Sequence, residues 1–97
     1  MTLEDVKRVV QGARAELAQR FGVTTILVFG SVARGEAGPG SDVDVLVEFD
    51  RPITLVGLFT LQDRLSELLG CPVDVGTPAG LRPRVRDRVM REAVRVA

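Results

Sequence analysis

Two apolar strands joined through a glycine turn constrain this chain more than anything else in it. Thr24–Phe29 is apolar and β-branched, and Gly30 and Ser31 follow it directly. Ten residues further on, a second apolar run begins at Asp42 and ends at Phe49. Such composition predicts two buried strands, and their short connection suits adjacent antiparallel pairing. Gly30 to Gly35 turns the chain and can open a short helix. Glu36 to Ser41, with Gly38, Pro39 and Gly40, reads as loop.

The second strand carries polar groups of one kind. Alternate strand residues face the same side, so Asp42 and Asp44 point one way while Val43, Val45 and Val47 point into a core. The two like charges lie about 7 Å apart by strand rise. One reading is a solvated strand face, but aspartate is depleted in strand interiors and here occurs twice. The other is a hard-oxygen site for Mg²⁺, which takes carboxylates together with substrate phosphates and waters. Asp74, between Val73 and Val75, repeats the pattern on a predicted third strand. Beside the second strand it would add a third carboxylate, enough to hold two metal ions roughly 3.5–4 Å apart. One ion would bind a triphosphate and the other would activate an attacking hydroxyl. An exposed strand aspartate is the competing reading for Asp74.

The turn adds a different chemistry. A glycine after a buried strand lets backbone N–H groups approach a phosphate, and Ser31 adds a hydroxyl. Alone, the pair fits a plain strand–helix turn equally well. Arg34 can reach a phosphate or pair with Glu36 or a motif aspartate; Ser41 can orient Asp42 or be ordinary loop polarity. No Walker A lysine and no G-x-G-x-x-G occurs.

Helices frame these strands. Thr2–Arg20 reads as one amphipathic helix, capped by Thr2, with Leu3, Val6, Val10, Ala13 and Leu17 on its apolar face and Gly22 at its end. Gly12 either allows a close helix–sheet contact or is tolerated. Thr54 caps a helix over Leu55–Leu69, with Leu58, Leu61, Leu65, Leu68 and Leu69 as its stripe and Gly70 as its stop. Pro72–Gly76 is a short strand, Thr77–Gly80 a turn, and Leu81–Val96 a last helix with Val85, Val89, Ala93 and Val96 inward. Arg82, Arg84, Arg86, Arg88, Arg91 and Arg95 crowd that last helix against Asp87 and Glu92. Such a stripe suits RNA, an acidic partner face, or plain solvent.

Composition narrows the chemistry. The chain has 97 residues, suited to one domain spanning 1–97. It contains no histidine, which removes the commonest general base, the commonest zinc ligand and a Ser-His triad. Zero net charge gives no strong nucleic-acid signal. The lone Cys71 fits a reducing compartment, and no apolar run approaches the roughly 20 residues of a membrane span. With no signal-peptide layout at the start, a cytoplasmic protein without a membrane partner is expected.

Gly30-Ser31, ten residues, then Asp42-Val43-Asp44, with Ala33-Arg34-Gly35 inside and Ser41 before the first aspartate, resembles the signature of the polymerase-beta-like nucleotidyltransferases. The version here is similar to the minimal, MNT-type group that pairs with HEPN-domain toxins in toxin–antitoxin modules. The element order and Val73-Asp74-Val75 extend the resemblance over nearly the whole chain. It implies an α/β (α+β) fold: a small mixed sheet of three to four strands with helices packed on one face. It implies that Gly30 and Ser31 hold nucleotide phosphates, and that Asp42, Asp44 and Asp74 bind Mg²⁺ and carry the catalysis. Arg34 and Ser41 are further nucleotide-binding candidates. The implied reaction transfers AMP from ATP to a hydroxyl, a tyrosine by preference, of a partner HEPN toxin and silences it. A catalysis-free antitoxin that occludes its toxin, and transfer to a small molecule, are the alternatives. The chain leaves no room for an acceptor domain, so a homo- or hetero-oligomer completing the site is expected.

Overall fold

A computed structural model of the protein describes residues 1–38 and 42–97. Ser41, a nucleotide-binding candidate, lies outside the described residues. The chain runs α1 (Leu3–Gly12), α2 (Arg14–Phe21), β1 (Val23–Phe29), α3 (Gly30–Ala33), β2 (Val43–Phe49), α4 (Leu55–Leu69), β3 (Val73–Gly76), a 3₁₀ turn (Pro78–Gly80), α5 (Pro83–Glu92) and β4 (Val94–Arg95). The strands form one mixed sheet in the order β3-β2-β1-β4. β1 pairs antiparallel with both β2 and β4, and β3 lies parallel to β2.

Alternation along the strands divides the sheet into two faces. Ile26, Val28, Val43, Val45 and Val47 point to one side and are buried against Val6 and Val10 of α1, Leu17 and Phe21 of α2, and Leu61, Leu65 and Leu69 of α4. This is the main core, and the helices around it obey their sequence signals. Thr2 forms a capping box with Asp5, Thr54 accepts from the Gly57 amide, and Gly22 and Gly70 close α2 and α4 at positive φ. Arg64 on α4 reaches Glu16 on α2 with two bonds of 2.7 and 2.8 Å, clamping the helix layer. Leu27 and Leu46 point to the opposite face, where Val89 of α5 covers them. Helices therefore lie on both faces, three on one and α5 on part of the other.

Two expected elements come out differently. The first helix is two: Ala13 leaves helical geometry at φ −104°, ψ 7°, and α2 restarts at once. A Cβ on Gly12 would meet nothing within 4 Å, so no close helix–sheet contact requires that glycine. Its weak helix propensity instead makes this the cheapest place for the layer to bend. The last helix stops at Glu92. Ala93 is extended at φ −66°, ψ 140°, and Val94 and Arg95 join the free edge of β1. The Val96 amide donates to Ile26 O at 2.9 Å, and the Ile26 amide donates to Ala97 O at 3.1 Å. Val96 is thus buried from a strand, while Val85 stays 38% exposed.

Candidate nucleotide site

The site forms where β1 ends and β2 begins. Register places Phe29 opposite Asp44, so the residue after Phe29 arrives beside the Asp44 carboxyl. That residue is Gly30, at φ 74°. A Cβ there would sit 2.5 Å from Asp44 Oδ2, so glycine is required both by the backbone conformation and by the close approach. α3 begins at this point, with the Arg34 and Glu36 amides closing onto Gly30 O and Ser31 O at 3.1 and 2.9 Å. Ser31 is half-buried, and its hydroxyl has no hydrogen-bond partner among the described residues.

The carboxylates share the face expected of them. Asp44 lies directly opposite Asp74 across the parallel β2–β3 ladder. Asp42 and Asp74 are exposed and Asp44 is half-buried. None of the three has an ion-pair or hydrogen-bond partner among the described residues. Burial pushes the Asp44 carboxyl above its ordinary value, and the charges of Asp74 and Asp42 push it further; Arg34 opposes them. The three carboxylates therefore act on one another electrostatically. They are not gathered tightly, however: among the described residues no group of three or more His, Cys, Asp or Glu side chains is placed to hold a metal ion unaided. An open set of hard oxygens with no cationic partner fits Mg²⁺, which completes its shell with water and substrate phosphate.

Arg34 takes one of the roles open to it, the pair with Glu36, and adds a second partner. Its guanidinium bonds Glu36 at 3.0 Å and Glu92, at the end of α5, at 3.1 Å. It sits close enough to Asp44 to favour that carboxylate's charged form. A concavity of about 380 Å³ lies on the other side of α3, bounded by Leu3, Val32, Ala33 and Arg34; it includes none of the aspartates.

Two residues that sequence reasoning passed over support the third carboxylate. β3 is an edge strand, and the amides on either side of Asp74 face outward. The Val73 amide donates to Ser66 Oγ at 3.2 Å and the Val75 amide to Gln62 Oε1 at 3.0 Å. Both acceptors come from α4, one turn apart. They fasten the edge strand on which Asp74 stands and leave its side chain free. The four-residue spacing of Gln62 and Ser66 beside the leucine stripe was the available signal, but it acquires meaning only once β3 is known to lie alongside α4.

The nucleotidyltransferase-domain family matches residues 10–96 of the chain. The protein adenylyltransferase MntA of Thermococcus cleftensis is 41% identical over 96 residues, covering 99% of this chain and 97% of that protein. A solved structure named for a minimal nucleotidyltransferase superposes with a TM-score of 0.80 at 45% identity, over 97% of this chain and 95% of that one. A more distant structure, 15% identical with a TM-score of 0.69, shares the fold over 100% of this chain and 72% of that one; it describes a tri-AMPylated Shewanella oneidensis HEPN toxin in complex with an MNT antitoxin. Sheet order, the Gly30–Asp44 approach and the matched length agree: the chain belongs to the nucleotidyltransferase-domain family.

Proposed function

We propose that this nucleotidyltransferase is the antitoxin of a toxin–antitoxin pair and moves AMP from ATP to a tyrosine hydroxyl of a partner HEPN-domain toxin. The observation that carries the reading is the carboxylate face of Asp42, Asp44 and Asp74, unpaired with any cation, set against the Gly30 turn. The 41% identity to a protein adenylyltransferase supports the choice of AMP and of a protein acceptor. The AMPylated HEPN toxin found with a structural neighbour supports the partner.

In this reading, the Gly30 and Ser31 amides and the Ser31 hydroxyl hold the outer phosphates of ATP, and Arg34 exchanges a glutamate for phosphate oxygen. Asp42, Asp44 and Asp74 are the residues that would hold Mg²⁺, two ions in this reading. When bound, Mg²⁺ neutralises phosphate charge and makes the acceptor hydroxyl easier to deprotonate. The acceptor oxygen bonds to the α-phosphorus, pyrophosphate leaves, and the hydroxyl proton passes to a carboxylate or to solvent. In this reading the partner supplies the acceptor and completes the site in a hetero-oligomer. Such a pair works in the cytoplasm; among the described residues no helix is long and apolar enough to cross a membrane.

The test incubates the chain with α-labelled ATP, Mg²⁺ and the HEPN-domain protein encoded beside it. Label should appear on a tyrosine of that protein and disappear with Asp42→Asn/Asp44→Asn. Protection from the toxin that survives the double substitution, without label, would establish occlusion instead.

A further inference from the structure

Ten of the twelve arginines of this chain fall into two populations; the other two, Arg14 on α2 and Arg95 on β4, have no carboxylate partner among the described residues, and Arg95 bonds Ala97 O. Arg8, Arg20, Arg34, Arg51 and Arg64 each pair with a carboxylate, at distances of 2.7–3.3 Å. Arg82, Arg84, Arg86, Arg88 and Arg91, all on α5 or at its start, pair with none among the described residues. The chain is not short of acids, since it carries thirteen against thirteen bases. Five of the seven arginines that pair with no carboxylate among the described residues therefore stand together on one helix.

Arg84, Arg88 and Arg91 stand at helical spacing on one side of α5 and, with Val85, line a shallow groove of about 240 Å³. The groove begins near the nucleotide site. Glu92, the last residue of α5, holds Arg34 at 3.1 Å, the Arg34 amide closes onto Gly30 O, and Gly30 abuts the Asp44 carboxyl. Arg88 is one helical turn, about 6 Å, back along the axis from Glu92. α5 also covers the same face of the sheet from which Asp44 projects.

We propose that this groove docks an acidic segment of the acceptor protein and so delivers its hydroxyl to the carboxylates; the inference rests on the transferase reading above and adds where the acceptor binds. Charge complementarity selects an acidic occupant, because unpaired guanidiniums near a site loaded with triphosphate favour carboxylates arriving from outside. The surroundings select protein over RNA. Val85 and Met90 are 38% and 43% exposed among the arginines, and arginine with methionine is the mixture enriched in protein interfaces. α5 carries no aromatic ring, the common platform for bases in single-stranded nucleic-acid sites.

The test uses Arg84→Glu/Arg88→Glu/Arg91→Glu, and Arg84→Lys/Arg88→Lys/Arg91→Lys as the charge-keeping control. The probe is a fluorescent glutamate–tyrosine copolymer, with an oligouridylate of equal charge as competitor. The wild type should bind the copolymer in a salt-sensitive way, the glutamate variant at least about tenfold more weakly, and the lysine variant within about threefold of wild type. Copolymer binding that is absent, or unchanged by charge reversal, overturns the proposal; so does tighter binding of the oligouridylate that reversal abolishes. Label transfer to the HEPN partner separates the two readings. The glutamate variant should raise the KM for the partner with little change in kcat, and should keep the wild-type thermal shift with Mg²⁺ and ATP. Equal label transfer by variant and wild type removes the docking surface and leaves the transferase standing. No transfer by the wild type, with copolymer binding still lost on reversal, removes the transferase reading and leaves the acidic-segment surface.

Discussion

The two faces of the sheet solve opposite problems. On the face covered by α1, α2 and α4, apolar side chains interdigitate and the nearest charges are matched, as Glu16 and Arg64 are. On the other face, α5 covers only Leu27, Leu46 and their neighbours, and charges stand unmatched: aspartates at one end, arginines along the helix. One face holds the fold, and the other keeps unsatisfied charge available to something that arrives. The same strands serve both, because the valines of β2 build the core between the very aspartates that face outward.

The sharpest way to break this division is to neutralise the open face and ask what is lost. Asp42→Asn/Asp44→Asn should lower transfer about a thousandfold or more while the protein remains folded by circular dichroism. A comparable loss of fold would erase the contrast. On the sealed face, Leu61→Ala or Leu65→Ala should cost about 2–5 kcal/mol in urea unfolding, since each leucine is fully buried against the sheet. Activity should then follow the folded fraction alone.

Gln62→Leu sits between the regimes, because it acts on Asp74 from the sealed side. It should cost about 1 kcal/mol of stability and raise the Mg²⁺ concentration needed for half-maximal transfer, with Gln62→Glu restoring both. A stability loss with unchanged Mg²⁺ dependence would make Gln62 structural only.

The two smallest effects concern pH and differ in sign between the faces. Asp44 has a raised carboxyl in the fold, so its contribution to stability is present below the ordinary value of 3.8 and is lost as pH rises through the raised value. Asp44→Asn should therefore be neutral or slightly stabilising at pH 7 without metal, read as an unchanged or higher Tm. Glu16 is the reverse. Bonding to Arg64 holds its carboxyl at about 2 against an ordinary 4.5, so its contribution is present above 4.5 and is lost as pH falls toward 2. Glu16→Gln should flatten the acid limb of a Tm–pH curve.

Much of this arrangement could be read from the residues, and the unread part has a common cause. β1 and β2 announced themselves through β-branched runs, α4 through Thr54 and Gly70, and the carboxylate face through simple alternation. Those signals are local. β4 was hidden because Ala93 and Val96 continue the helical stripe of Val85 and Val89, and only the open edge of β1 draws Val94 and Arg95 into a strand. The bend at Ala13 has no proline to mark it. Gln62 and Ser66 read as polar positions beside a leucine stripe, since their partners are amides on a strand that sequence alone does not bring alongside. Arg34 was placed near the site, yet its second partner, Glu92, is 58 residues away.

The Gly30–Asp44 approach has a consequence for how such a chain can be altered. The two halves of the site are held together by strand register, Phe29 against Asp44, and not by the segment that joins them. A one-residue slip of β2 against β1 would turn both aspartates into the core. Insertions and deletions between Val43 and Phe49 are therefore the damaging ones, because each carries the register, and with it Asp44, away from Gly30.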